Sequence, residues 1–306
     1  MNIQYHFLKA LFWLLSKIPF WFYHVLSRVI GFLLIKFKIY RYQLVVNNIN
    51  KAFPEKSEKE IREIAHKFFY HFSDLLIESL KAFNFSKKKI KKRYKIHPND
   101  DVQRIVDEGR SLAIVLPHFA NWEWAVLSFV FMVERNQPFA MGIYKPLKNK
   151  VMDRLIKDSR TPFPNALLIP KKTAMKEMMA HSDKPFLVGF AADQSPANVY
   201  NSYWMEFMGI ETGVFFGVEK MSKKMNLAVV YAHVRKTKRS FYEVDLELIT
   251  AHPNETDYGF ITEKHMKLLE ADLKKTPHLW LWTHNRWKRK KPSDFNEKIE
   301  ANKKEQ

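Results

Sequence analysis

His118 and Glu123 stand five residues apart in the segment SLAIVLPHFANWEW. On a continuous helix that spacing leaves them about 140° apart, so they could not share a face. If His118 lies in the loop after a strand and Asn121 caps the next helix, Glu123 falls in the first helical turn and folds back onto the imidazole. The pair then forms a base and its orienter: His118 takes a proton, and the carboxylate fixes its tautomer and steadies the imidazolium. The same residues also suit a strand end and an acidic helix N-terminus with no chemistry at all. No serine sits in a Gly-x-Ser-x-Gly elbow, which disfavours a covalent acyl-enzyme. A His–Glu pair without a nucleophile suits direct deprotonation of an acceptor hydroxyl that attacks an already activated acyl group. Such a transfer needs an oxyanion stabiliser. Lys145, Arg160, Lys171 and Lys172 follow later strands and helices and are candidates to supply charge.

The elements that must hold these residues are legible in the apolar pattern. From Ser57 to Phe83, apolar residues recur at three and four, with Ser57 and Glu60 spaced as a capping box, which predicts one long helix. After Pro98 the pattern changes to short apolar runs at Leu112–Leu116, Phe139–Ile143, Ala166–Ile169, Phe186–Ala191, Leu227–Val234 and Tyr242–Ile249. Between them lie amphipathic segments near Trp122–Glu134, Leu147–Asp158, Ala174–His181 and Gly213–Met225, with a last helix at Tyr258–Lys274. Strand–helix alternation predicts an α/β fold, a single domain with a largely parallel sheet flanked by helices. In such sheets, ligands and catalysts collect beyond the carboxyl ends of the strands.

Composition narrows the chemistry. The 306 residues carry 51 Lys and Arg against 32 Asp and Glu, a formal net charge of +19, and no cysteine. The missing thiols remove disulfides, cysteine nucleophiles, iron–sulfur clusters and thiolate zinc sites. Eight glycines include no G-x-G-x-x-G and no G-K-[ST], so nucleotide-phosphate loops are unsupported. Twelve histidines lack paired-ligand spacing, and no metal is implied.

The apolar N-terminal stretch explains part of the charge. It lacks a preceding basic cluster and a small-residue cleavage site, so it does not read as a secretory leader. Lys9, Lys17 and Arg28 interrupt it, which makes a clean membrane span doubtful. At 100° per residue, Lys17, His24, Arg28 and Gly31 fall in one narrow arc, the pattern of a helix lying in a membrane interface, and Pro19 should split it in two. Packing on the protein's own core is the alternative. Basic blocks at Lys87–Arg93 and Lys288–Lys291 suit anionic lipid at a membrane surface. Nucleic acid is not expected, because no zinc finger, RNA-recognition signature or basic zipper is present. The domain reading is therefore a membrane anchor over 1–40, a catalytic domain over 41–292 and a polar tail over 293–306.

HFANWEW, with His118 and Glu123, resembles the H-x-x-x-x-[DE] motif of the lipid A biosynthesis lauroyl/myristoyl acyltransferases. The likeness continues through NNINKAFPEKSEKEIREIAHKFFYHFSDLLIESL, with Asn48, Phe53, Pro54, Glu55 and Glu78, and through the block ending at Arg160. FAADQSP carries an Asp193-Gln194 pair, FMGIETG contains Phe207, Gly209 and Thr212, and the end is similar to a closing W-x-H-x-R-[WF]-K signature at Trp282, His284, Arg286, Trp287 and Lys288. Coverage is nearly the whole chain. Two departures are Ala120-Asn121 where the family usually has glycine before the W-E pair, and Thr161-Pro162 where a second arginine often follows Arg160.

The resemblance implies an O-acyltransferase on the cytoplasmic face of a Gram-negative inner membrane. The donor would be an acyl carrier protein or coenzyme A thioester, a co-substrate rather than a cofactor, and the acceptor a hydroxyl of a phosphorylated lipid A precursor in lipopolysaccharide biosynthesis. It assigns His118 as general base and Glu123 as its partner, Arg160 to donor or phosphate contact, and Asp193 with Gln194 to a structural or substrate-lining role. Asn121, Lys145 and Arg286 are further candidates for substrate contact. Two other readings compete: the same chemistry on another amphiphile, such as an amino-acid lipid, aryl polyene or glycolipid, and a catalytically silent basic protein of the membrane surface.

Overall fold

The computed structural model describes residues 2–132 and 139–298. From the N-terminus come helices α1 (Asn2–Lys17), α2 (Phe20–Lys36), α3 (Tyr42–Ala52), α4 (Glu58–Lys81) and α5 (Lys87–Arg93), then strand β1 (Tyr94–Pro98), α6 (Asp100–Asp107) and β2 (Leu112–Val115). The alternation continues with α7 (Trp122–Phe129), β3 (Phe139–Tyr144), α8 (Lys150–Arg160), β4 (Ala166–Pro170), α9 (Ala174–Ala180) and β5 (Phe186–Phe190). A hairpin of β6 (Ser202–Phe207) and β7 (Ile210–Phe215) precedes α10 (Gly217–Met225), β8 (Ala228–Lys238), β9 (Phe241–Thr250) and α11 (Phe260–Lys275).

Seven strands form one sheet in the order β1-β9-β8-β2-β5-β3-β4, in which only β8 and β9 run antiparallel. The α/β fold with a mostly parallel sheet is thus present, and β2 at its centre is buried at all four positions, as a strand covered on both faces must be. Ser57 and Glu60 make the reciprocal capping box that starts α4. Helices α3, α5 and α6 and strand β6 were not expected, and two further segments depart from the expected pattern. Gly213–Met225 is not one helix: Gly213 to Phe215 complete β7, and the helix starts only at Gly217. Strand β1 was hidden because its burial alternates over just five residues behind the basic run of α5. The expected helix end at Glu134 lies outside the described residues.

Pro19 separates α1 from α2, and the two axes meet at 102°. Among the described residues no single helix is long and apolar enough to cross a membrane, although the bent pair together passes on length and composition. The inner and outer faces of α2 are the reverse of those of a helix on a water-facing surface. Tyr23, Ser27, Gly31 and Leu34 are buried against the protein, while Trp21, Val25, Val29 and Phe32 are 49–67% exposed. Part of the polar arc read from the sequence faces inward: Gly31 is buried and His24 half-buried, while Lys17 and Arg28 stay exposed. His24 bonds Ser240, Ser27 donates to Asp74 at 2.8 Å, and the Arg28 guanidinium lies 4.9 Å from the Tyr70 ring centroid. Gly31 is required here, since a Cβ would meet Tyr70 Cδ1 at 2.6 Å. At the bend, the buried Lys81 ammonium donates to the carbonyls of Ser16 and Ile18, left without helical partners by the break. Of the expected tail, residues 299–306 lie outside the described residues, whereas Asp294 and Phe295 contact Tyr200 and Trp204 of the hairpin region.

Candidate active site

Parallel register brings two distant residues together. Val115 of β2 is paired with Phe190 of β5. His118 and Asp193 each lie three residues past that pair, beyond the carboxyl ends of adjacent strands. His118 Nδ1 donates to Asp193 Oδ1 at 2.7 Å, and the His118 backbone N–H donates to Oδ2 at 3.1 Å. Trp280 Nε1 also donates to Oδ2, at 2.8 Å. The buried carboxylate thus accepts three hydrogen bonds. Burial disfavours its charge, but the facing imidazole and these donors hold its pKa down at about 2. Burial likewise opposes a charged imidazole, yet Asp193, aided by Glu123, outweighs it and raises the His118 pKa above the usual 6.5. With Nδ1 committed, Nε2 is the nitrogen free to act as base. Its neighbour is the Gln194 side-chain amide, which donates to it at 3.3 Å.

This geometry corrects the expected partnership. The carboxylate that orients His118 is Asp193, and Glu123 bonds a different side chain. Glu123 does fall in the first turn of α7, but its two oxygens accept a bidentate fork from Arg160, Nε at 2.9 Å and Nη2 at 2.6 Å. Arg160 at the end of α8 is accordingly half of an ion pair rather than a free cation. Asn121 caps α7, its Oδ1 accepting from Trp124 N at 3.0 Å, while its Nδ2 donates to the buried Glu78 at 2.6 Å. Asn121 is 1% exposed and is not among the residues that line the cavity beside His118. Arg286 is also interior: it donates to the Gly213 carbonyl beneath the hairpin, and burial lowers its pKa to about 10. The Ser195 backbone is fixed by donating to His284 Nε2, whose pKa burial depresses to about 4.

His118, Glu123, Arg160, Gln194 and Lys145 share the wall of one cavity of about 580 Å³. Its apolar lining combines strand residues such as Ile114, Leu187 and Met141 with Val126, Phe129, Val218 and Met221 of the flanking helices. Its cations, Lys145, Lys171, Lys288 and Arg289, lie beyond the strand ends or in the closing segment. The cavity thus joins an apolar lining to several cations. Gly142 and Gly189 are paired across β3 and β5 and both line the cavity, with the Leu168 side chain packed over Gly142. Composition had suggested the Lys288 block only as a surface patch, and nothing in local spacing pointed to Trp280 or to the pairing of His118 with Asp193.

Residues 2–289 match the family described as bacterial lipid A biosynthesis acyltransferase. The chain is similar to the lipid A biosynthesis lauroyltransferase of Escherichia coli strain K12, at 23% identity over 278 residues that cover 90% of this chain and 88% of the relative. It is 22% identical over 280 residues to the palmitoleoyltransferase of the same strain and to a lipid A biosynthesis acyltransferase of Shigella flexneri, with the same coverage. A match across nearly the whole length places this chain in the bacterial lipid A biosynthesis acyltransferase family, as an acyl-transferring enzyme.

Proposed function

We propose that the protein moves a fatty acyl chain from an acyl carrier protein or coenzyme A thioester to a hydroxyl of a phosphorylated lipid A precursor, at the cytoplasmic face of a Gram-negative inner membrane. The observation that carries the reading is that His118 lines a cavity that combines apolar walls with several cations, while its Nδ1 is held by a buried carboxylate. The acceptor oxygen attacks the thioester carbonyl carbon as Nε2 takes its proton. The carbonyl electron pair shifts to oxygen, then returns, breaking the C–S bond, and the thiolate leaves with the proton from the imidazolium. No step needs an acyl-enzyme. The cations of the cavity suit the phosphates of the acceptor or of the donor's carrier arm. Mass spectrometry of lipid A from a strain lacking its late acyltransferases, with and without this protein, tests the reading. One added acyl group per molecule is expected, and an unchanged acyl count together with acylation of another amphiphile would move the substrate assignment there.

The outward apolar face of α2 supports attachment to the bilayer, with the exposed lysines of α5 beside anionic headgroups. Trp21→Ala and Phe32→Ala are each expected to weaken binding to phosphatidylglycerol-containing vesicles by about tenfold, the effect of losing roughly 1.5 kcal/mol or more of apolar burial. Co-sedimentation measures this, and unchanged retention of both variants would remove the face from the membrane contact.

A further inference from the structure

The attack on a thioester creates an oxyanion, and several of the polar groups nearest His118 are already engaged. The backbone N–H groups following β2, where a hole would conveniently form, are occupied: His118 N by Asp193, Phe119 N by the Pro117 carbonyl at 2.7 Å, and Ala120 N by the Leu279 carbonyl at 2.8 Å. The Asn121 amide is bound to Glu78, and the Arg160 Nε and Nη2 are bound to Glu123. The amide of Gln194 is different. It lies on the cavity wall, and its partner is the lone pair of His118 Nε2 itself. An acceptor hydroxyl can reach that nitrogen only by displacing the amide, which then stands within one hydrogen bond of the reacting carbonyl.

We infer that Gln194 is a catalytic residue whose side-chain N–H group caps the base in the empty enzyme and turns to the thioester oxyanion when acceptor and donor are bound. This rests on the acyl-transfer reading above. The backbone around Gln194 is fixed on both sides, by the three bonds to Asp193 and by Ser195 N on His284, so a short swing of one side chain suffices. A donor held in advance of the reaction stabilises charge without reorganising its surroundings.

Two variants and two readouts test it. Gln194→Met keeps the length and removes the donor; Gln194→Ala removes the side chain. With a lauroyl coenzyme A thioester as donor and an under-acylated lipid A precursor as acceptor, both should lose about 10²- to 10³-fold in kcat with little change in acceptor KM. Diethyl pyrocarbonate should modify His118 several-fold faster in Gln194→Ala, since the Nε2 lone pair is then uncovered. Turnover within about threefold of wild type in either folded variant overturns the proposal, as does unchanged His118 modification. Wild-type protein that transfers no acyl group under the same conditions would instead count against the acyl-transfer reading, and the modification rates would still decide whether Gln194 caps the base.

Discussion

His118→Ala is expected to lower acyl-transfer turnover by about 10²- to 10⁴-fold or more, the range for losing a positioned general base. The reason lies in what remains. Without the imidazole, neither nearby carboxylate is suited to take a proton from a neutral hydroxyl near pH 7: Asp193 is held strongly acidic, and Glu123 is engaged by Arg160. Vesicle binding should be untouched, because α1 and α2 lie on other contacts. Initial rates with a thioester donor, alongside co-sedimentation of the same preparation, separate the outcomes. A variant keeping near wild-type turnover would favour the catalytically silent surface protein.

Asp193→Asn should fall almost as far, on the order of 10³- to 10⁴-fold, for a different cause. The amide can present an N–H to Nδ1, which puts the imidazole proton on Nε2 and leaves no lone pair facing the substrate. The pH profile provides the second readout. Wild-type activity requires neutral His118, whose pKa is raised above 6.5, so the rate should climb with pH through an apparent value above 6.5. Removing the carboxylate charge takes away the main raising influence, and the residual acid limb should move to lower pH. If the limb shifted upward, or did not shift, Asp193 would not be what holds the imidazole.

Much of this arrangement is legible in the chain, and the exceptions have physical causes. The six apolar runs after Pro98 are strands because each combines branched or aromatic residues with a bounded length, and their observed ends differ by no more than a few residues from those expected. The hairpin escaped because Val214, Phe215 and Phe216 run straight into the helical pattern of α10, and a short apolar run does not declare its period. The orienting carboxylate escaped for a reason of distance. Glu123 is the acid nearest to His118 in sequence, whereas Asp193 is 75 residues on and becomes a neighbour only through the pairing of β2 with β5. That both residues follow an apolar run at the same offset is the one signal a reader could have used. Arg286 and Asn121 were legible as residues of a motif but not as interior ones, since burial depends on the hairpin and on Glu78.

The inward polar face of α2 bears on how the protein can be handled. Cutting the chain after the second helix to obtain a more soluble enzyme would not simply trim grease from it. Asp74 would lose the Ser27 hydroxyl, Arg239 would lose the His24 carbonyl, and Lys81 would lose both carbonyls it neutralises at the bend. Glu78, one turn from Asp74, accepts from Ser240, Tyr242 and Asn121, so the uncapped groups would adjoin the network that anchors the loop carrying His118. Detergent or lipid, rather than truncation, is the route to an active preparation: the greasy segment doubles as one wall of the fold.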